Sequence, residues 1–246
     1  MHRFFIKQDN IKRNSIYIEG EDVQHISKVL RLRPDDVITV CDQSGMDYKV
    51  RITEISKNNV KTEIMEKYTS IGEPQLEVVL YQGIPKSTKM DLIIQKCTEM
   101  GISRIVPIST MRTVVKLETE KDEKKKVERW IKIAEEAAKQ SKRGKIPAIG
   151  MPVALEEAYK EAATLELCIM PYELEHTVGI KQVLTASKVK SVGIFIGPEG
   201  GFDIAEVNQA IAKGVIPVTL GTRILRTETA GFTALTCVMY EYNQLG

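Results

Sequence analysis

The stretch that decides the fold lies late in the chain and reads KSVGIFIGPEGGFDIAEVNQAIAK, residues 190–213. Its first part, KSVGIFIG, is a short apolar run rich in β-branched and aromatic residues, which is typical of a buried strand. Three glycines and a proline lie within the five residues 197–201, where this run ends. Asp203 and Glu206 then give a capping-box start, and Gly214 a stop, so we predict a strand, a glycine loop and a helix in that order.

The same strand–loop–helix unit recurs on both sides of this stretch. Apolar runs alternate with helical patterns, and the longest helical pattern extends from about Thr119 to Lys142. Alternation of this kind predicts a parallel sheet in an α/β domain. We assign this domain to residues 71–246 and expect a final helix from about Thr227 to Leu245.

The N-terminal part of the chain has a different pattern. Residues 1–70 contain several short runs rich in β-branched and aromatic residues, separated by turn-forming stretches such as Asp42–Gly45. One predicted helix, DVQHISKVLR at 22–31, interrupts them, with Val23, Ile26, Val29 and Leu30 as its apolar stripe. We therefore predict a small, mostly-β domain that precedes the α/β domain.

Composition limits the possible functions. The chain has 246 residues, of which 43% are hydrophobic and 28% are charged, and its formal net charge is +2. A packed core is expected, and any nucleic-acid binding must come from local clusters of cations. The four cysteines form no C-x-x-C pair and the three histidines have no metal-ligand spacing, so we expect reduced thiols and no metal. Without a signal peptide or a long apolar run, we expect a cytoplasmic protein with no membrane partner.

A second unusual connection, LGTRILRTETA at 220–230, follows the last apolar run. It places two arginines, three threonines and a glutamate in one short segment that leads into the final helix. Ligands of open α/β sheets bind beyond the carboxyl ends of the strands, which favours a binding site at both loops. The alternatives are an ordinary strand-to-helix turn and a polar helix cap. The chain lacks the P-loop motif and a G-x-G-x-x-G at the start of the α/β domain, which disfavours those nucleotide-binding classes.

Together, IGPEGGF at 196–202 and LGTRILRTETA resemble the cofactor loops of the SPOUT methyltransferases. Within that superfamily the chain is most similar to the family that methylates N3 of a uridine in small-subunit ribosomal RNA. The resemblance extends to HRFFI, HISKVLRLRPDD, MDLIIQKCTEMGI, MRTVVK and AAKQSKRGKIP. It implies a PUA-like RNA-binding domain at 1–70, a trefoil knot in the C-terminal domain, S-adenosylmethionine as cofactor, and 16S ribosomal RNA in the small ribosomal subunit as partner.

The resemblance also implies roles for individual residues. The catalytic candidates are Glu228 as base, and Arg223 and Arg226 as cations that stabilise charge on the uracil. We expect a valine at Gly200 to block the cofactor. The loop at 170–175 departs from the family pattern, so it is assigned no cofactor contact. The cofactor is expected to contact Ile196, Gly197, Pro198, Glu199, Gly200, Gly201, Leu220, Gly221, Ile224, Leu225, Arg226, Thr227, Thr229 and Ala230.

Partners are predicted from clustered cations and from the final helix. Apolar side chains occupy most faces of that helix, which predicts a homodimer.

Two other functions stay open: another SPOUT reaction, such as 2′-O-ribose methylation of tRNA or rRNA, and RNA binding without catalysis. The cations expected to bind RNA are Arg3, Lys7, Lys28, Arg31, Arg33, Lys86, Lys89, Arg112, Lys116 and Arg143.

Overall fold

The computed structural model describes residues 2–115 and 119–245. The chain forms two compact units, of which the first comprises the residues up to Glu73 together with Ala138–Ile146, and the second comprises the remainder. The first boundary lies near the division predicted at residue 70. The prediction had placed residues 138–146 in the second domain, because a long helical pattern carries no local signal of where its contacts change.

The first unit contains a six-stranded sheet in the order β1-β4-β5-β6-β3-β2. Strands β1 and β4 pair in parallel, whereas the other neighbours are antiparallel. Alternate side chains such as Ile16 and Ile18 are buried, as expected for a sheet with one face on a core. The strands are β1 (Arg3–Phe5), β2 (Ile11–Lys12), β3 (Ser15–Glu19), β4 (Val37–Cys41), β5 (Met46–Ile55) and β6 (Asn59–Thr69).

The helix predicted at 22–31 is only partly α-helical. A short α1 (Glu21–Gln24) continues into a π-helical turn, His25–Val29, in which the N–H of Leu30 donates to the carbonyl of His25. The wider turn changes the phase of the side chains, so Val29 is 69% exposed instead of joining the predicted apolar stripe. Arg31 then adopts a left-handed conformation with a φ of 53°, and the turn ends there.

The second unit contains a parallel sheet in the order β10-β8-β7-β12-β11-β13, with β9 also paired to β8. The predicted parallel α/β domain is confirmed, although the two-residue strands β9 and β10 were not predicted. No helix in residues 2–115 or 119–245 has the length and apolar character needed to span a membrane. The strands are β7 (Glu77–Gly83), β8 (Arg104–Ser109), β9 (Ala148–Ile149), β10 (Val153–Ala154), β11 (Leu167–Pro171), β12 (Ser191–Ile196) and β13 (Ile216–Val218).

The helices of the second unit follow the predicted positions closely. The capping box predicted at Asp203 and Glu206 is present at the start of α6. The last helix ends at Glu241 rather than near Leu245, because Asn243 has a φ of 54°, which a helix cannot continue. The helices are α2 (Lys89–Glu99), α3 (Glu120–Gln140), α4 (Leu155–Ala162), α5 (Ile180–Thr185), α6 (Ile204–Ala212) and α7 (Thr227–Glu241).

The strand order creates a switch point between β7 and β12. From β7 the chain passes through α2 to β8 on one side, and from β12 it passes through α6 to β13 on the other. Connections that leave in opposite directions open a crevice at the carboxyl ends of the two strands. Phe195 of β12 anchors the sheet below this crevice, because its ring stacks on Tyr81 with centroids 4.5 Å apart.

Candidate functional site

A cavity of about 540 Å³ lies beyond the carboxyl ends of β11, β12 and β13. Both loops singled out in the sequence contribute to its wall. Of the residues expected to contact a cofactor, Thr229 is the exception, since it does not line this cavity. The others all do: Ile196, Gly197, Pro198, Glu199, Gly200, Gly201, Leu220, Gly221, Ile224, Leu225, Arg226, Thr227 and Ala230.

The cavity has a third wall that the sequence reasoning missed. The loop after β11 contributes side chains that were assigned no contact, because this loop departs from the family pattern. Its position directly after a buried strand was the available signal, since carboxyl ends of parallel strands share one edge. The additional lining residues are Lys89, Pro171, Tyr172, Glu173, His176, Phe202, Thr219 and Thr222, together with the catalytic candidate Arg223.

Glycine is required where the ends of β7 and β12 approach each other. A Cβ atom on Gly83 would lie 2.5 Å from the nitrogen of Pro198, and one on Gly197 would lie 2.9 Å from the carbonyl carbon of Gly201. Because both contacts are with backbone atoms, a side chain at either position would force the main chain to shift. These glycines therefore set the tight path of the loop that forms the cavity wall.

Gly200 lines the cavity and also packs against Arg112. Its missing side chain faces Arg112, because a Cβ atom there would lie 3.1 Å from the Cβ of Arg112. Nη1 of Arg112 donates to the carbonyl of Gly200 at 2.9 Å, and Nη2 lies 3.1 Å from Oδ2 of Asp203. A valine at Gly200 would thus press on Arg112 as well, while the expectation that it blocks the cofactor stays a prediction.

The first turn of α7 is bonded to both central strands. The hydroxyl of Thr227 donates to the carbonyl of Gly197 at 2.6 Å, and Nε2 of Gln82 donates to that hydroxyl at 2.9 Å. Gln82, Gly197 and Thr227 are all buried. This chain of hydrogen bonds fixes where α7 begins, and thereby places Arg226 and Ala230 on the cavity.

The three catalytic candidates do not occupy equivalent positions. Arg223 and Arg226 are exposed and line the cavity. The side chain of Glu228 is only 13% exposed and lies outside the lining, with its Oε2 atom 4.0 Å from Nζ of Lys89. The structure therefore brings the two arginines to the cavity and sets the carboxylate behind it, next to a lysine.

Glu199 ties the loop after β7 to the loop after β12. Its Oε1 atom accepts hydrogen bonds from Nζ of Lys89 at 2.8 Å and from the backbone N–H of Lys86 at 3.0 Å. Burial would raise the pKa of Glu199, but the hydrogen bonds from Lys89 and from the backbone N–H groups of Glu199 and Lys86 outweigh it and lower the pKa. Glu199 is thus a fixed negative charge on the cavity wall.

The cations predicted to bind RNA divide into exposed and internal groups. Lys7, Lys28, Arg31, Arg33 and Lys86 are exposed. Lys89 and Arg112 are engaged with the glycine loop, as described above. Lys116 lies outside the described residues.

Arg3 and Arg143 point into the first unit rather than to its surface. Arg143 is 4% exposed, and its Nη2 atom lies 2.9 Å from Oε2 of Glu73. Nη2 of Arg3 lies 2.8 Å from Oδ2 of Asp47, which is also buried. Since these guanidinium groups neutralise internal carboxylates, their predicted phosphate contacts are replaced by structural ion pairs, and neither arginine enters the RNA-binding proposal below.

Acidic and histidine side chains do not converge on a metal site. Within the part of the chain that the structure describes, no group of three or more His, Cys, Asp or Glu residues is arranged to hold a metal ion.

Burial raises the pKa of the Cys97 thiol to about 12 and that of the Cys168 thiol to about 11. These two thiols are therefore packed in their neutral form.

Comparison with known proteins connects this architecture to a family. Residues 72–239 match an RNA methyltransferase domain, and residues 18–65 match an RNA methyltransferase PUA domain. The ribosomal RNA small subunit methyltransferase E of Bacillus subtilis (strain 168) is 36% identical, and the match covers 98% of this chain and 97% of the relative. The chain belongs to the ribosomal RNA small subunit methyltransferase E family. The PUA match confirms the predicted class of the N-terminal domain.

Solved structures of methyltransferase E relatives share the whole architecture. The enzyme from Neisseria gonorrhoeae, crystallised with S-adenosyl methionine, has a TM-score of 0.87 and 30% identity, covering 98% of this chain and 97% of that one. A methyltransferase from Legionella pneumophila in complex with the same cofactor also has a TM-score of 0.87, with 28% identity over 97% of this chain and 96% of that one. Both units of the present chain are thus represented in relatives that bind this cofactor.

Proposed function

We propose that the chain transfers a methyl group from S-adenosylmethionine to N3 of a uridine in 16S ribosomal RNA. One observation carries the proposal: both glycine-containing loops line a single cavity, in a chain that is similar over 98% of its length to a relative crystallised with this cofactor. Family membership supplies the substrate class, since the relatives are named as small-subunit ribosomal RNA methyltransferases.

The residues of the cavity fit the proposed cofactor. Its volume of about 540 Å³ is that of a small-molecule site, for which about 300–1,000 Å³ is usual. The glycine loops offer backbone N–H and C=O groups for the neutral adenine, and Ile196 and Leu225 offer apolar surface. Glu173 and Glu199 supply negative charge for a cationic ligand. The bound cofactor would supply a methyl group already activated by its sulfonium.

The protein's own contribution is to prepare N3 of the uridine for attack. N3 carries a weakly acidic proton, and we assign Glu228 as the base that receives it. Arg223 and Arg226 are free of ion pairs among the described residues and line the cavity, so they are placed to stabilise negative charge on the uracil oxygens. Fixed alignment of the two reactants provides much of the remaining acceleration.

The uridine must reach the cavity unpaired, because N3 lies on the edge that forms base pairs. We propose that the PUA unit holds the surrounding RNA through Lys7, Lys28, Arg31 and Arg33, and that Lys86 of the second unit adds a further contact. All five are exposed. Contacts to phosphates would position the RNA, whereas selection of the uridine takes place at the cavity.

The proposal includes a trefoil knot in the second unit. It is supported by the way in which the start of α7 is bonded to Gln82 at the end of β7 and to Gly197 after β12. These bonds seat the last helix of the chain between the ends of two earlier strands. The proposed setting of the enzyme is the small ribosomal subunit in the cytoplasm.

The proposal also includes a homodimer built partly on α7. One face of α7, which includes Leu235 and Val238, is fully buried within the unit. Its other side leaves Phe232 and Cys237 partly exposed and Tyr240 73% exposed, and an identical surface is the commonest cover for such a face. Analytical ultracentrifugation should therefore give twice the chain mass of 27.7 kDa. A fully active monomer would contradict the dimer.

The decisive experiment is mass spectrometry of ribosomal RNA nucleosides after incubation with the protein and isotope-labelled cofactor. We expect label in 3-methyluridine from small-subunit RNA, presented either as free RNA or as assembled subunits. Label on a ribose oxygen would instead identify a 2′-O-methyltransferase of the same fold. RNA binding without label in any nucleoside would identify a non-catalytic protein.

A further inference from the structure

The ammonium group of Lys89 lies between two carboxylates at the edge of the cavity. Lys89 is the first residue of α2, and its side chain is 31% exposed. Nζ of Lys89 lies 2.8 Å from Oε1 of Glu199 and 4.0 Å from Oε2 of Glu228. One cation thus connects the ends of three segments that are distant in sequence.

The carboxylate of Glu228 is unusual for a group so little exposed. Its Oε2 atom is buried and, among the residues that the structure describes, receives no hydrogen bond. A buried polar atom left without a hydrogen bond is destabilising, so such atoms are rare unless a site requires them. Nζ of Lys89 lies 4.0 Å from this oxygen, which is too far for a hydrogen bond, so the ammonium faces the carboxylate without occupying the oxygen.

Lys89 is itself held in place on the other side. Glu199 accepts a hydrogen bond from Nζ of Lys89 and another from the backbone N–H of Lys86. The Glu199 carboxylate is therefore fixed at two points, and it restrains the lysine. The side chain of Lys86 is exposed, and only its main chain takes part in this arrangement. Two nearby lysines with the same predicted role thus differ in their surroundings.

We propose that Lys89 is a positioning residue for methyl transfer: anchored by Glu199, its ammonium places a positive charge beside Glu228 and holds that carboxylate next to the cavity, where it takes the N3 proton. The inference rests on the proposed function. The proton on N3 passes to a carboxylate oxygen of Glu228. The electron pair left on N3 forms the bond to the methyl carbon as the bond between that carbon and sulfur breaks. The carboxylic acid of Glu228 then returns its proton to water.

Few charged groups compete with Lys89 for Glu228. Helix α7 packs against α2, α5, β7 and β12. In residues 2–115 and 119–245, Lys89 is the charged side chain that lies within 4.0 Å of Glu228, and Glu199 is held by the same ammonium. Replacing the lysine should therefore affect Glu228 more than it affects the exposed Arg223 and Arg226.

The test measures kcat and KM for RNA as a function of pH, at saturating cofactor, for Lys89→Met, Lys89→Arg and the control Lys96→Met. Lys96 lies on the same helix and pairs with Glu99 on the surface, so it controls for loss of a charge on α2. We expect Lys89→Met to lower kcat by about tenfold to a hundredfold and to move the acidic limb of the profile up by about one pH unit. Lys89→Arg keeps the positive charge, so the acidic limb of its kcat profile should lie at the same pH as in wild type.

Two outcomes would overturn the inference. If Lys89→Met raises KM for RNA and flattens its salt dependence without changing the pH profile of kcat, Lys89 is a phosphate contact. If Lys89→Met and Lys89→Arg lose kcat equally with the wild-type pH profile, the role is merely structural. Thermal unfolding and cofactor calorimetry of each variant establish that the fold and the cavity persist.

A double-mutant cycle with Glu228→Gln gives an independent test. If Lys89 acts through Glu228, adding Lys89→Met to Glu228→Gln should change kcat by less than about twofold, because the effects are then not additive. Additive losses would contradict the inference while the proposed function stands. A wild-type protein that methylates no uridine would overturn the proposed function, and this inference with it.

Discussion

The hydroxyl group of Thr227 donates a hydrogen bond of 2.6 Å to the carbonyl oxygen of Gly197. This bond joins the first turn of α7 to the loop after β12, while Gln82 donates to the same hydroxyl from the end of β7. One oxygen atom therefore determines how the two loops that line the cavity are spaced.

Replacing Thr227 with valine should damage both stability and cofactor binding. The change leaves the buried Gly197 carbonyl without its hydrogen-bond donor, at a cost of about 1–3 kcal/mol, and leaves the Gln82 amide nitrogen with only the carbonyl of Gly83 as acceptor. Differential scanning calorimetry should show a lower Tm, and titration calorimetry should show at least tenfold weaker binding of S-adenosylmethionine. Thr227→Ser keeps the hydroxyl and should behave nearly as wild type. Equal affinities in the two variants would refute this role.

Ala230 offers a direct way to fill the cavity. It lies on the cavity wall in the first part of α7, where leucine is compatible with the helix. Ala230→Leu should weaken cofactor binding at least tenfold with little change in Tm. Ala212→Leu, at an exposed position of α6 outside the cavity lining, is the matched control and should bind as wild type. Unchanged affinity of Ala230→Leu would place the cofactor elsewhere.

Arg112 is expected to act on the cofactor more than on RNA. Because it holds the Gly200 carbonyl and Asp203, removing it should loosen the glycine loop. Arg112→Ala should weaken cofactor binding by about threefold to tenfold, which corresponds to about 0.7–1.4 kcal/mol. Arg112→Lys keeps the positive charge but loses the two-nitrogen contact of the guanidinium. Its cofactor affinity should lie between those of wild type and Arg112→Ala. A flatter salt dependence of RNA binding, with cofactor affinity intact, would instead support the phosphate contact predicted from the sequence.

Arg31 allows stability to be separated from RNA binding. Its φ of 53° is a conformation that glycine adopts without strain, so Arg31→Gly should leave Tm unchanged or raise it. RNA binding should weaken, and the slope of its salt dependence should fall by about 0.7–0.9, as expected for one lost phosphate contact. Arg13→Gly, at an exposed residue with a φ of 54°, is the control and should affect RNA binding less. Charge reversal of Arg31 and Arg33 together should enlarge the loss without changing cofactor affinity.

Asp42 should make the stability of the first unit depend on pH. Burial would raise its pKa, but hydrogen bonds from Ser44, Met46 and Tyr48 outweigh burial and lower it below 3.8. The stabilisation is therefore present above the unfolded value and is lost as pH falls through the folded one. Asp42→Ala should reduce stability in chemical denaturation by about 2 kcal/mol at neutral pH. If wild type and variant differ equally at neutral and strongly acidic pH, the carboxylate is not responsible.

The sequence was sufficient for those features that depend on neighbouring residues. The apolar run before Gly197 and the capping box after it are local patterns, and both appear as predicted. The role of Lys89 could not be predicted in this way, because it depends on Glu199 and Glu228, which lie in two other segments. In the sequence, nothing near Lys89 distinguishes it from an exposed lysine. Its two carboxylate neighbours are brought beside it only by the fold.

The burial of Arg143 shows the same limit. In sequence it belongs to a basic run, SKRGK, that is typical of a nucleic-acid contact. In the structure the carboxylate of Glu73 binds its guanidinium and also accepts from the backbone N–H groups of Gly144 and Lys145. A single acidic residue far away in the chain thus turns a surface charge into an internal one.

The pairing of β7 with β12 has a consequence for how the protein folds while it is being synthesised. Strand β7 pairs with β8 soon after both are synthesised, but its other neighbour follows more than a hundred residues later. The hydrogen bond between Gln82 and Thr227 spans 145 residues, so it cannot form before α7 is synthesised. Chains emerge from the ribosome with their N-terminal end first, so a growing chain has no cofactor cavity until its final helix is free. A growing chain therefore cannot bind a methyl donor before α7 has emerged, although the first unit lies far earlier in the sequence.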